Sequence, residues 1–134
     1  MLYLTYVSDF AQELESQDFN NILAVSTEHN ARQNITGFLV VVDQHFFQAL
    51  EGPEEHVLTL LEAIKRDPRH QNLRVIGSET IVKRDFPDWS MGFVCYWKSH
   101  LLDDIQSVLL QYAKTEVFKP HHAQGLRVLL QSLG

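Results

Sequence analysis

Apolar and polar positions divide the chain into strands and helices almost from end to end. Residues 2–8 mix leucine with aromatic and β-branched side chains, which predicts a strand. Ser16 can cap a helix, and Phe19, Ile22 and Leu23 follow at helical spacing, so a helix is expected to about His29. Residues 30–34 are polar and loop-like. Residues 35–42 form a nearly unbroken apolar run, the pattern of a central strand covered on both faces. Asp43-Gln44 leaves a two-residue turn, and residues 45–51 return as the hairpin partner. Gly52-Pro53 ends that strand and opens a second helix. Glu54 and Glu55 fall where the helix dipole favours negative charge, and Val57, Leu60, Leu61 and Ile64 make its core-facing stripe. Pro68 closes it. Residues 73–82 and 91–97 predict two more strands. The order β-α-β-β-α-β-β is that of an α+β, ferredoxin-like sandwich with a five-stranded mixed sheet and two helices on one face.

The pattern changes after Trp97. Leu101, Leu102, Ile105, Val108, Leu109 and Tyr112 form a helical stripe, Phe118-Lys119-Pro120 interrupts it, and Leu126, Val128, Leu129, Leu130 and Leu133 predict another helix. We divide the chain into a domain of residues 1–97 and a C-terminal two-helix extension of residues 98–134. The extension is too small to fold alone, so its stripe must pack on the exposed sheet face or on another subunit.

Composition narrows the class of protein. The chain has 134 residues, with 11 Lys+Arg against 17 Asp+Glu, a formal net charge of −6. An acidic chain without a basic cluster is a poor partner for nucleic acid. No apolar run reaches the ~20 residues of a membrane span, and the N-terminus lacks the features of a signal peptide. A single cysteine, Cys95, cannot form an internal disulfide, so a cytoplasmic location is expected. The seven histidines lack ligand spacing, so no metal is expected.

Several residues sit awkwardly in a plain core. Alternation puts Gln48 on the face of Phe46 and Leu50, and a buried amide without partners costs roughly 1–3 kcal/mol. Tyr6 shares a face with Leu2 and Leu4, and in this topology its strand lies beside that of Gln48. The two can therefore hydrogen-bond to each other. His29, Asn30 and Asn34 follow the first helix, Asp67-Pro68-Arg69-His70 follows the second, and Trp89-Ser90-Met91 enters the last strand. Each is explicable by capping, turns or core filling. Together they place amides, a phenol, a carboxylate and a guanidinium around one cleft, which suits a planar heteroaromatic cofactor.

In this order the residues resemble the BLUF family of flavin-using blue-light sensors. The resemblance rests on Leu2-Tyr3-Leu4-Thr5-Tyr6-Val7-Ser8, His29-Asn30 through Asn34-Ile35-Thr36-Gly37, Phe46-Phe47-Gln48-Ala49-Leu50-Glu51-Gly52, Asp67-Pro68-Arg69-His70 and Phe86-Pro87-Asp88-Trp89-Ser90-Met91. It covers roughly residues 1–97. It implies FAD as cofactor, with FMN as the alternative, and a photoreceptor rather than an enzyme. Tyr6 corresponds to the redox-active tyrosine and Gln48 to the glutamine that links it to flavin N5 and O4. Asn30 corresponds to the asparagine at the flavin O4/N3 edge, with His29 beside it. Asp67, Arg69 and His70 correspond to the lip on the ring's other edge. Trp89, Ser90 and Met91 correspond to the signal relay. Ile35, Leu39, Phe47 and Leu50 are added here as wall residues. The implied mechanism is proton-coupled electron transfer from Tyr6 to excited flavin, a Gln48 rearrangement and a red-shifted signalling state.

The chain departs from the family at Ala63, where many members carry an arginine four residues before the turn's aspartate. That puts the contact to the flavin C2 carbonyl in doubt, or hands it to Arg69. No effector domain follows the sensor, so the expected output is intermolecular, through a homo-oligomer (dimer or larger) and a downstream effector protein. A segment of a longer sensor–effector protein would read the same way. Two other classes compete: a ligand-free ferredoxin-like interaction module and an acylphosphatase-like hydrolase. The latter needs an arginine-bearing phosphate loop after the first strand, where this chain has Ser8-Asp9-Phe10-Ala11.

Overall fold

A computed structural model describes residues 1–96 and 104–134. Five strands, β1 (Leu2–Phe10), β2 (Thr36–Val42), β3 (His45–Gly52), β4 (His70–Thr80) and β5 (Gly92–Tyr96), form one sheet in the order β4-β1-β3-β2-β5. All neighbours are antiparallel except β2 and β5, which run parallel, so the sheet is mixed. Helices α1 (Ser16–Arg32) and α2 (Glu54–Arg66) cover one face. Helices α3 (Asp104–Lys114) and α4 (Pro120–Leu133) cover the other. The expected α+β sandwich and C-terminal helices are thus present. The proposed boundary at Trp97, and Leu101 and Leu102 of the tail stripe, lie outside the described residues.

Alternation along the strands sorts the two cores. Tyr3, Val7, Phe38, Val40, Phe47 and Ala49 point towards α3 and α4, where Leu109, Leu126 and Leu130 are fully buried against them. The extension's stripe therefore packs on this chain's own sheet. Leu4, Tyr6, Leu50, Leu39, Val41 and Phe46 point the other way, into the clusters beneath α1 and α2.

Element ends differ from expectation for local reasons. The α1 N-cap is Glu15, not Ser16, because the Glu15 amide donates to Asp18 Oδ2 at 2.7 Å. The helix continues three residues past His29. It closes where Asn34 takes a left-handed φ of 56°, a conformation asparagine tolerates. Strand β4 starts at His70 rather than Leu73. The polar His70-Gln71-Asn72 hid this start, since Phe10 and Asp9 of β1 pair across to His70 and Gln71. That pairing carries the His70 ring onto the α1/α2 face.

Candidate functional site

Tyr6 and Gln48 are direct partners in the β1–β3 register. Both are buried, and the Tyr6 hydroxyl donates to Gln48 Oε1. The other end of the amide donates from Nε2 to Met91 Sδ at 3.3 Å. Burial, with a smaller push from the Asp67 carboxylate, holds the phenol pKa well above its usual value. Tyr6 therefore keeps its proton, and keeps donating it, at any ordinary pH.

This pair forms part of the floor of a 220 Å³ cavity between the sheet and the two helices. The sheet contributes Tyr6, Leu39, Phe46, Gln48 and His70. Helix α1 supplies Ile22, Val25, Ser26, His29 and Asn30, one face at i, i+3, i+4, i+7, i+8 spacing. Helix α2 supplies Leu60, Ala63 and Ile64, and the following turn supplies Asp67 and Arg69. Apolar walls with a few convergent polar groups suit a flat heteroaromatic ring.

Of the residues singled out from sequence, Tyr6, His29, Asn30, Leu39, Gln48, Asp67, Arg69 and His70 come together here. Phe47 is a correction. It lies on the opposite face, packed in the core beneath α3 and α4, because strand alternation turns it away from Gln48. Phe46 takes the wall position, and the same alternation could have identified it. Ile35 and Leu50 belong to the apolar cluster with Val57 and Leu61 of α2, rather than to the cavity lining. Ile22, Val25 and Ser26 were missed, although the helical period from Asn30 points to them. Ala63 lines the cavity at the position of the family arginine.

The polar rim is ordered by short-range bonds. Arg69 Nη2 donates to Asp67 Oδ2 at 2.6 Å, and the Arg69 backbone N–H donates to Oδ1 at 2.9 Å. The Arg69 bonds hold the Asp67 carboxyl below its usual range despite partial burial. His70 Nδ1 shares a 2.7 Å hydrogen bond with Ser8 Oγ, and its ring lies 4.4 Å from that of Phe46. Burial lowers the His70 pKa to about 4, with Asp67 opposing and Arg69 assisting, so the ring is neutral at neutral pH.

Asn30 closes the far side. Its Nδ2 donates to the Ser90 carbonyl at 2.9 Å, while its Oδ1 is buried with no partner among the described residues. A buried lone acceptor is costly unless a donor meets it. A flavin carries a ring N–H next to a carbonyl, so the chemistry of this wall fits such a ring. Met91 packs inward, between the clusters beneath α1 and α2. Trp89 lies outside the cavity, 39% exposed, with its ring stacked on Phe38 and Phe86. Gly92 permits this, since a methyl there would overlap the Trp89 ring and stand 2.6 Å from Phe38 Cδ2.

Sequence reasoning gave Glu51 no role beyond its place in a motif. Its carboxylate is fully buried and accepts from Thr36 Oγ1 (2.8 Å), Asp85 N (2.8 Å) and Phe86 N (2.7 Å). It thereby anchors the start of the segment that carries Trp89, Ser90 and Met91. Among the described residues no group of three or more His, Cys, Asp or Glu could hold a metal ion. Nor is any described helix long and apolar enough to cross a membrane.

Comparison with known proteins gives a consistent picture. A family model described as BLUF, sensors of blue-light using FAD, matches residues 1–92. A photoactivated adenylate cyclase subunit beta of Euglena gracilis is 33% identical over 113 residues, 84% of this chain and 13% of that protein. The blue light- and temperature-regulated antirepressor BluF of Escherichia coli (strain K12) is 36% identical over 70 residues, 52% of this chain and 17% of that protein. This chain thus spans a small part of the length of both. The dark-state structure of BlrB, a BLUF protein, superposes with a TM-score of 0.79 at 28% identity, covering 99% of this chain and 96% of that one. BlsA in its photo-activated state gives 0.78 at 29% identity, covering 98% and 93%.

Proposed function

This chain belongs to the BLUF family of blue-light sensors, and from that premise we propose that it holds FAD in the cavity between α1, α2 and the sheet and signals through the Tyr6–Gln48 pair. The observation that carries the reading is the hydrogen bond from Tyr6 to Gln48, made in a cavity whose other wall presents Asn30 Oδ1, unpaired among the described residues. In this reading Asn30 holds the ring's N–H edge, and Arg69, with Asp67 and His70, holds the opposite rim. Leu39, Phe46, Ile22 and Val25 exclude water from its faces.

Bound flavin supplies the blue-light absorption, an electron acceptor once excited, and a spectrum that moves to the red when it gains a hydrogen bond. Tyr6 would supply the electron. Its hydroxyl proton has a ready path along the existing bond to Gln48 Oε1. An oxidised phenol is a strong acid, so the proton leaves only when the electron does. Gln48 can both accept and donate. With that proton on Oε1 the amide would rearrange by rotation or tautomerisation, its Nε2 bond to Met91 Sδ would change with it, and return of the electron and a proton to Tyr6 would restore the neutral phenol beside the rearranged amide. The change then acts on the segment through Met91, Ser90 and Trp89.

The output in this reading is a change in protein–protein contacts, through a homo-oligomer and a downstream effector protein in the cytoplasm. The chain acts as a sensor and not as an enzyme. The test is to purify the full chain and record its absorption before, during and after blue light, then release the chromophore and identify it. A yellow protein with a reversible red shift, releasing FAD, is expected. A colourless protein that FAD cannot reconstitute contradicts the reading, and release of FMN corrects the cofactor.

A further inference from the structure

A polar cluster lies away from the cavity, on the other face of the sheet. Arg127 of α4 donates from Nε to Asp85 Oδ2 at 2.8 Å and from Nη2 to Asp85 Oδ1 at 3.0 Å. Its Nη1 reaches Glu79 of β4, and its guanidinium stands 4.5 Å over the Tyr3 ring. The Asp85 side chain is 9% exposed and that of Arg127 26%, so this pair is not a solvent-screened surface bridge. A planar fork on a carboxylate also fixes orientation, which a point charge would not.

Neither residue lines the cavity, yet Asp85 begins the segment whose other end bonds to two residues that do, Asn30 and Gln48. At its start, Asp85 N and Phe86 N are held by the buried Glu51 carboxylate. At its end, Ser90 O accepts from Asn30 and Met91 Sδ accepts from Gln48. The part between carries two constraints. Pro87 restricts the backbone, and Phe86 and Trp89 stack within 15° of parallel. Phe86 also packs in the cluster of Leu126 and Leu130, and Gly134 sits against its ring. A shift imposed at Met91 is therefore poorly absorbed before it reaches Asp85 and the contacts of α4.

We propose that Arg127 is a positioning residue of the light response: through its fork on Asp85, α4 follows the displacement of residues 85–91. The proposal rests on the Gln48 rearrangement described above. In the arrangement seen here the fork holds α4 on the sheet. When the segment moves, the fork opens, α4 loosens, and the surface offered to a partner chain changes.

The experiment is amide hydrogen exchange on the flavin-loaded full chain, in darkness and under continuous blue light, for the natural protein, Arg127→Gln and the near-isosteric Asp85→Asn. The red shift is recorded on the same samples. In the natural protein, α4 amides are expected to exchange about tenfold faster in light, the equivalent of one charge-assisted hydrogen bond. In both variants the red shift persists, α4 exchanges fast in darkness as well, and the light–dark difference collapses. A purely structural clamp would raise exchange equally in both states, and that preserved difference overturns the proposal. So does a natural protein that shows the red shift with unchanged α4 exchange. Absence of the red shift in the natural protein overturns the underlying reading instead, and this inference with it.

Discussion

The side-chain amide of Asn30 reaches the relay segment at one end only: Nδ2 donates to the Ser90 carbonyl at 2.9 Å, while Oδ1 stands buried and unpaired among the described residues. The site's α1 wall and the relay segment are thus joined through a single side chain. Asn30→Ala removes the acceptor offered to the ring and costs about 1–3 kcal/mol, or roughly 5–150-fold in flavin affinity. Equilibrium dialysis against free FAD measures it. Unchanged affinity would show that the ring does not use Asn30.

Ala63 lines the cavity where family members often place an arginine. With a methyl there, Arg69 is the cation at this wall, and it is already committed to Asp67. Ala63→Arg adds a charge-assisted donor, so flavin affinity is expected to rise about tenfold. The same dialysis reads this change, and weaker binding would mean that the cavity lacks room for the longer side chain.

Gly92 lets Trp89 lie flat against Phe38. Gly92→Ala pushes the indole off that ring, and Trp89→Ala deletes it. Both variants should keep much of the red shift and change the rate of dark recovery, followed as absorbance after a light pulse. Loss of the spectral response in Trp89→Ala would place Trp89 in the photochemistry itself rather than in the relay.

His70 has a folded pKa of about 4 against an ordinary 6.5. Between those values the unfolded chain binds more protons than the folded one, so stability rises with pH across that window. Lowering the pH from about 6.5 to 4 should cost on the order of 3 kcal/mol, visible as a falling denaturation midpoint. Asp67, with its lowered pKa, loses its contribution only at lower pH. His70→Gln should flatten the slope between 4 and 6.5 and leave the more acidic part in place. An unchanged slope would assign it to other groups.

Much of this site is legible in the sequence. Tyr6 and Gln48 can be paired from sequence because alternation gives each a face and the ferredoxin-like topology lays β1 beside β3. The same alternation turns Phe47, next to Gln48, to the opposite face and so out of the wall. His70 was read as part of a turn because a polar strand start carries no periodic signal; only its pairing with Phe10 reveals it. The α1 wall from Ile22 to Ser26 follows from the helix period once Asn30 is known to face the cavity. Glu51 and the Asp85–Arg127 pair were not legible. Each depends on side chains meeting across 34 to 42 residues, where neither periodicity nor capping chemistry gives a pattern.

The central claim is that light acts through the Tyr6 hydroxyl and the Gln48 amide. It is tested most directly by difference absorption spectra of the flavin-loaded natural protein, Tyr6→Phe and Gln48→Ala, before and after blue light. The account predicts a reversible red shift in the natural protein and none in either variant, with flavin still bound in all three. A normal, reversible red shift in either variant would contradict it.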